Sequence, residues 1–221
     1  MSRSALILGN GEPPSQMLLE EFINADTLLL CADGGADAAK RYGYQPDYIV
    51  GDLDSASTAS KEDLPPNRLI QIDADNTGTD IEKVLRHAVE LEVSEAILLG
   101  FTGGRTDHLL WNLSALKTFG QQISMRLIDD YCDIRLIHRR IRFNSAIGQK
   151  ISLCPLNGPV DGITTAGLKF PLHGDSLIPG LRDGISNEVM SNPVEVEIGH
   201  GDLLLCVQRG KNHPAIQTLK I

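Results

Sequence analysis

In its first half the chain repeats one pattern: a short apolar run, a turn containing glycine, then a stretch with helical spacing of its apolar residues. Ala5-Leu6-Ile7-Leu8 breaks at Gly9-Asn10-Gly11, and a helix is expected over 14–23 with Met17, Leu18 and Phe22 on one side. The run at 27–32 breaks at Asp33-Gly34-Gly35, and Tyr48-Ile49-Val50 breaks at Gly51. Runs this apolar are buried on both faces, which is the condition of parallel strands covered by helices. The stretches 69–72, 95–99, 123–128 and 133–138 continue the series. From Ile141 onward helical periodicity disappears. The runs 150–154, 162–165, 194–198 and 203–207 are short and divided by Gly, Pro and Asn, as in an antiparallel sandwich. The expected fold class is therefore α/β: a mostly parallel α/β sheet domain over 1–136, then a smaller C-terminal antiparallel β-sandwich over 137–221.

Charge and cysteine usage limit what such a chain can do. With 29 acidic residues against 20 lysines and arginines the formal charge is −9, which argues against the clustered basic footprint of a nucleic-acid binder. An anionic substrate would have to be received through metal ions and a few placed arginines. No apolar run reaches the roughly 20 residues of a bilayer span, and Met1-Ser2-Arg3-Ser4-Ala5-Leu6 enters a strand-like run without a signal-peptide core. No membrane partner and a cytoplasmic location are expected. Cys31, Cys132, Cys154 and Cys206 are scattered without a Cys-x-x-Cys pair, so neither a zinc site nor a disulfide framework is expected.

Gly51-Asp52-Leu53-Asp54-Ser55, at a strand end, is the first candidate for chemistry. Two carboxylates spaced i, i+2 there can converge on one divalent cation. Mg²⁺ suits the place, because it uses one or two protein carboxylates and leaves the rest of its shell to water and phosphate oxygens. Asp33 stands at the equivalent end of another strand, where ligands of open α/β sheets bind; a helix N-cap explains an Asp there equally well. Thr79-Asp80-Ile81-Glu82 reads as a capping box opening a helix with Ile81, Val84, Leu85, Ala88 and Leu91 on one face. Asp80 then sits beside the positive end of the helix dipole, and it serves a metal only if the fold brings it to Asp52 and Asp54. Gly103-Gly104-Arg105 leads into another helix reaching about Phe119, with Leu109, Leu110, Leu113 and Leu116 as its core stripe. Arg105, His108 and Asn112 line an adjacent face. Paired glycines before an arginine at a helix start suit a polyphosphate, which they meet with N–H groups, dipole and guanidinium fork.

Taken in order, several stretches resemble the motifs of the thiamin pyrophosphokinase family. They are Ala32-Asp33-Gly34-Gly35-Ala36, Gly51-Asp52-Leu53-Asp54-Ser55, Thr79-Asp80 with Glu82-Lys83, and Gly103-Gly104-Arg105-Thr106-Asp107-His108 with Asn112. Gly167-Leu168-Lys169-Phe170-Pro171-Leu172 and Gly184-Ile185-Ser186-Asn187-Glu188 resemble its C-terminal motifs, so the resemblance spans almost the whole chain. It implies transfer of the diphosphate of Mg-ATP to the hydroxyl of thiamin, giving thiamin diphosphate and AMP. It also implies a nucleotide-binding catalytic domain, a thiamin-binding and dimerising one, and a homodimer with sites between subunits. The family's metal-binding acids fall on Asp52, Asp54 and Asp80, with Asp33 close by. The expected catalytic set is Asp52, Asp54, Asp80, Arg105 and Asp107. The expected nucleotide contacts are Asp33, Gly34, Gly35, Thr79, Gly103, Gly104, Arg105, His108 and Asn112. The family's thiamin-contacting serine falls on Ser186, with Asn187 beside it, and a further polar contact falls on Asp75 or Asn76 in a loop longer than the family's usual spacing. Some relatives stack thiamin on a tryptophan in the last strand region; here that region reads Leu203-Leu204-Leu205-Cys206, and the one tryptophan is Trp111.

The expected mechanism is in-line attack by the thiamin hydroxyl on the β-phosphorus of ATP, with Asp54 or Asp107 taking the proton. A rival comes from Ile49-Val50-Gly51-Asp52-Leu53-Asp54, which also resembles the nucleophile motif of haloacid-dehalogenase-type phosphatases, with Asp129-Asp130 as their downstream acids. A protein that binds nucleotide or thiamin without turnover is the other alternative; clustered carboxylates, which repel without a cation, argue against it.

Overall fold

The computed structural model describes residues 3–73 and 78–210, and the backbone of Gln217–Thr218. It divides into two compact units, Met1–Asp130 and Tyr131–Ile221. The second unit takes in the strand at Cys132–Ile137, which pairs with Leu203–Gln208; the sequence expectation set the boundary at 136/137.

The first unit alternates strands and helices: β1 (Arg3–Leu8), α1 (Gln16–Phe22), β2 (Leu28–Ala32), α2 (Gly35–Arg41), β3 (Tyr48–Gly51), α3 (Thr58–Glu62), β4 (Leu69–Gln71), α4 (Asp80–Glu90), β5 (Val93–Leu99), α5 (Thr106–Phe119) and β6 (Ser124–Ile128). Every pairing among these strands is parallel, in the order β6-β5-β1-β2-β3-β4. Leu6, Ile7, Leu8, Leu30, Ile49, Val50, Leu98 and Leu99 are fully enclosed, as their uninterrupted apolar runs require. The chain winds outward from β1 to β4, then crosses to the far side of β1 for β5 and β6. Connections therefore leave β1 and β5 in opposite directions, and the crevice beyond their carboxyl ends is the place where such sheets bind ligands.

Helix α4 buries Ile81, Val84, Leu85 and Ala88 as its spacing predicts, and with them Lys83. Helix α5 departs from expectation. It turns Asn112, Ala115, Leu116 and Phe119 inward, leaving Leu110 63% and Trp111 51% exposed. One anchor lies on the inward face: the Asn112 amide donates to the Phe101 carbonyl at 2.8 Å, holding that face of the helix on the loop after β5.

Among its described residues the second unit is all β: β7 (Cys132–Ile137), β8 (Arg140–Asn144), β9 (Lys150–Pro155), β10 (Val160–Ala166), β11 (His173–Leu177), β12 (Gly184–Glu188), β13 (Val194–Glu197), β14 (Leu203–Gln208) and β15 (Gln217–Thr218). One antiparallel group runs β12-β9-β14-β7 and a second β11-β10-β13-β8-β15. Alternate residues of the first group (Ile137, Ile151, Leu153, Leu203, Leu205, Val207) and of the second (Phe143, Val160, Ile163, Leu177, Val194, Val196) share one core.

Candidate active site

The acidic residues assemble at the carboxyl ends of β2 and β3. Asp33 follows β2 directly at φ 43°, a left-handed conformation that a short polar side chain tolerates. Its carboxylate does not cap α2, whose N-cap, Gly34, makes no side-chain cap. It reaches instead across the strand ends to accept the N–H of Ala56 at 2.9 Å and of Ser55 at 3.2 Å. The turn 51–56 is thereby held over Asp33, and Asp52 accepts the Asp54 N–H at 3.3 Å within it. As a result Asp33, Asp52 and Asp54 each present a carboxylate oxygen, all within 4.8 Å of one another.

Three carboxylates this close repel, and the surroundings answer unevenly. Burial pushes Asp33, which is 1% exposed, up to about 6; the backbone bonds from Ala56 and Ser55 restrain the rise, while contact with Asp54 and the charge of Asp80 add to it. Burial also pushes Asp52 upward, but the Asp54 N–H, the Lys83 ammonium and hydrogen bonds shared with Asp33 and Asp54 together hold it below the ordinary carboxylate range. Lys83, 3% exposed, is the local counter-ion: its Nζ lies 3.5 Å from Asp52 and 3.3 Å from Asp80. Burial alone would lower its ammonium, and the two carboxylates more than compensate. Asp80 thus joins the cluster through Lys83 rather than by direct approach. The donor set is entirely carboxylate oxygen, which fits a hard divalent cation such as Mg²⁺ and not a soft metal.

Beside the cluster lies a cavity of about 570 Å³ in the β1/β5 crevice. Asn10, Gly11 and Glu12 form one wall, Gly100, Phe101 and Gly103 to Arg105 another, and Thr79 and Asp80 close it at the start of α4, with Ser55 and Ala32 as the link to the acids. The two glycine loops are joined: Gly11 N–H donates to the Gly100 carbonyl at 2.7 Å and Glu12 N–H to the Thr102 carbonyl at 2.8 Å. A Cβ on Gly11 would stand 2.5 Å from the Thr102 oxygen, so only glycine permits this approach. Gly103 and Gly104 follow at φ 72° and 61°, two consecutive left-handed residues that turn the chain into α5. Arg105 then stands 71% exposed at the helix start, forked onto Asp107 by bonds of 3.1 and 2.6 Å. That fork, with a smaller part from the His108 backbone, draws the Asp107 carboxyl down to about 2. Glu82 reaches back to the Thr79 N–H at 2.9 Å, as a capping box should, and also accepts the Trp111 indole N–H at 3.2 Å, tying α4 to α5.

Among the residues expected at the site, Thr79, Asp80, Gly103, Gly104, Arg105, His108 and Asn112 border the cavity, and Asp33, Asp52 and Asp54 form the adjoining cluster. Gly34 and Gly35 are packed against Asn10 and the Leu8 carbonyl. Asp107 is held by Arg105. In the second unit Ser186, at φ 60°, donates its N–H to Ser152 at 3.1 Å. Asn187 is buried, its amide engaging both the N–H and the carbonyl of Phe170, at 3.0 and 2.8 Å. Asp75 and Asn76 lie outside the described residues. Sequence reasoning missed Lys83 as a partner of the acids and Asn10, Glu12, Ser55 and Phe101 as cavity walls. The signal that could have found Lys83 was a lysine beside Val84 on an otherwise apolar helix face. Asp130 accepts the Ser15 N–H at 2.9 Å at the start of α1, a position that explains this acid without a phosphatase role.

Fold and site together define a two-unit protein whose parallel α/β half presents clustered acids and a glycine-arginine turn to an anion-sized crevice. The sequence places it more narrowly. Residues 19–128 match the family described as thiamin pyrophosphokinase, catalytic domain, and residues 138–203 match the thiamin pyrophosphokinase, vitamin B1 binding domain. The chain is 30% identical to thiamine pyrophosphokinase 2 of Arabidopsis thaliana over 87% of its own length and 82% of the relative's. It is 27% identical to the Bacillus subtilis thiamine pyrophosphokinase over 85% and 90% of the two chains. A crystal structure of thiamine pyrophosphokinase from Bacillus subtilis shares the fold, with a TM-score of 0.82 at 24% identity, covering 93% of this chain and 99% of that one. The chain belongs to the thiamin pyrophosphokinase family.

Proposed function

We propose that the protein transfers the diphosphate of ATP to the hydroxyl of thiamin, releasing AMP. The observation that carries this reading is the Asp33, Asp52, Asp54 cluster beside a glycine-edged cavity in a chain that matches both the catalytic and the vitamin B1 binding halves of the family. Asp52 and Asp54, with Asp33 and Asp80 close by, would hold Mg²⁺, which supplies charge neutralisation on the phosphate oxygens. The N–H groups around Gly103 and Gly104 and the guanidinium of Arg105 bind and orient the polyphosphate. Asp107 orients that guanidinium, and of the two acids considered for the hydroxyl proton, Asp54 is the one not clamped by an arginine. Lys83 holds Asp52 and Asp80 in one arrangement. Ser186, presented by β12, serves the thiamin side. We take the working form to be a cytoplasmic homodimer, as the family resemblance implies.

The test is direct. The protein is incubated with ATP, Mg²⁺ and thiamin, and thiamin diphosphate and AMP are measured together. Formation of AMP that depends on thiamin is the expected result, with Asp52→Asn reducing it by about 10² or more while circular dichroism is unchanged. Phosphate release from a simple monoester, or a trapped aspartyl phosphate at Asp52, would overturn the reading.

A further inference from the structure

Asp33 holds the acid turn 51–56 from one side; a lysine that is not part of the acid cluster holds it from another. Leu53, between Asp52 and Asp54, has φ 65°. Among the described residues Asp33, Glu92 and Ser186 are the other non-glycine residues with positive φ, and Leu53 is the one apolar member of the set. A left-handed leucine crowds its Cβ against the next carbonyl and has no polar side chain to bond locally, so its surroundings must impose the conformation. Two contacts do so. The Leu53 side chain is partly buried and packs on the core of the first unit. Its carbonyl accepts the Lys61 ammonium at 2.9 Å.

That carbonyl belongs to the planar peptide joining Leu53 to Asp54, and the N–H of the same peptide donates to Asp52 at 3.3 Å. One rigid plane therefore has its oxygen on Lys61 and its N–H on Asp52. Turning the plane over would break both bonds and re-aim Asp54. Lys61 approaches from a fixed point. It lies on α3, a helix of 5 residues that could not persist alone. Asp37 of α2 accepts the Ser57 and Ser60 hydroxyls, each at 2.6 Å, and Lys40 donates to the Ala59 carbonyl at 2.8 Å, so α3 is tied to α2.

We propose that Lys61 is a positioning residue of the metal-binding turn: by holding the Leu53–Asp54 peptide it keeps Asp52 and Asp54 converged with Asp33 before a cation arrives. This rests on the reading that these acids receive Mg²⁺. Lys61 differs from Lys83, which sits on the carboxylates themselves. The two possible roles of a nearby lysine have opposite signs. A lysine that acts only as charge competes with Mg²⁺, and its removal tightens metal binding. One that orders the acids favours Mg²⁺, and its removal weakens binding, because the turn must then be ordered as the metal binds.

The rise in Tm with Mg²⁺ alone, measured on the full-length chain, gives a Kd for the metal. Lys61→Met should raise that Kd about tenfold, the loss of one charge-assisted bond. Lys61→Arg, whose guanidinium still donates, should stay within about threefold of the native value. A Lys61→Met variant with an unchanged or lower Kd overturns the proposal, and so does a native chain whose Tm does not respond to Mg²⁺. If Lys61→Met does not fold, Lys61→Gln, neutral and shorter, decides the sign in the same way. No substrate is present in these melts, so absence of thiamin-dependent AMP would fail the diphosphate-transfer reading without altering this result.

Discussion

Replacing Asp33 by asparagine should make the metal-free protein more stable. At neutral pH the native state holds a carboxylate that burial has pushed up to about 6 from an ordinary 3.8. An acid raised in this way binds its proton more tightly folded than unfolded, so stability falls as pH rises through that window and the loss is complete above it. At about 1.36 kcal/mol per pKa unit, the cost near neutrality is roughly 3 kcal/mol. Asparagine is neutral and its amide oxygen can still accept from Ala56 or Ser55, but its NH₂ group gains no assured partner, which returns about 1–2 kcal/mol. The net expectation is a stabilisation of about 1–2 kcal/mol, or roughly 3–6 °C in Tm for a chain of this size. Trp111, the one tryptophan, lies on α5 and reports unfolding of the first unit by fluorescence. Melts in chelator at neutral pH should show the difference, and at pH about 5, below the native value, it should shrink because the native Asp33 is then protonated too. Mg²⁺ should raise the Tm of the native chain and raise that of Asp33→Asn less. A variant less stable than the native protein at neutral pH in chelator, or an advantage that does not shrink on acidification, would refute the reasoning.

Gly11→Ala places a Cβ 2.5 Å from one backbone oxygen and 2.7 Å from another, so the two loops must part. Urea unfolding should show a loss of about 2–3 kcal/mol with an unchanged slope, and equal midpoints would contradict it. Asn187→Ala removes both bonds that fix Phe170 beside β12; a loss of roughly 2 kcal/mol is expected, together with a higher KM for thiamin and an unchanged KM for ATP. Arg105→Gln removes an exposed guanidinium and should leave the Tm unchanged while lowering turnover by about 10²; near-normal turnover would remove Arg105 from the phosphate site.

What the sequence revealed followed from local signals, and what it hid depended on register between distant segments. The parallel sheet was legible because strands covered on both faces need unbroken apolar runs, such as Leu6-Ile7-Leu8. Gly103-Gly104-Arg105 was legible because a double left-handed turn before a helix leaves glycine little alternative. Asp33 was ambiguous: capping and ligation ask for the same residue, and its true partners, Ser55 and Ala56, lie more than twenty positions on. The buried face of α5 was misjudged because leucines occur around more than one side of that helix, and its orientation is fixed by side-chain bonds from Asn112 and Trp111 to distant segments.

The same physics joins the acid cluster to its setting. Four carboxylates at the start of a crevice would drive one another apart, yet each is restrained: Asp33 by the turn it holds, Asp52 and Asp80 together by Lys83, and Asp54 by the Ser55 hydroxyl at 2.9 Å. Lys83 brings one positive charge to two carboxylates, so the metal-free site retains net negative charge. A core built for stability alone would have placed an apolar residue at Asp33 and released the lysine to solvent. The arrangement is intelligible if the missing charge arrives with the substrate, because the strain is then relieved only in the complex and the site discriminates in favour of metal-bound polyphosphate over the free anion.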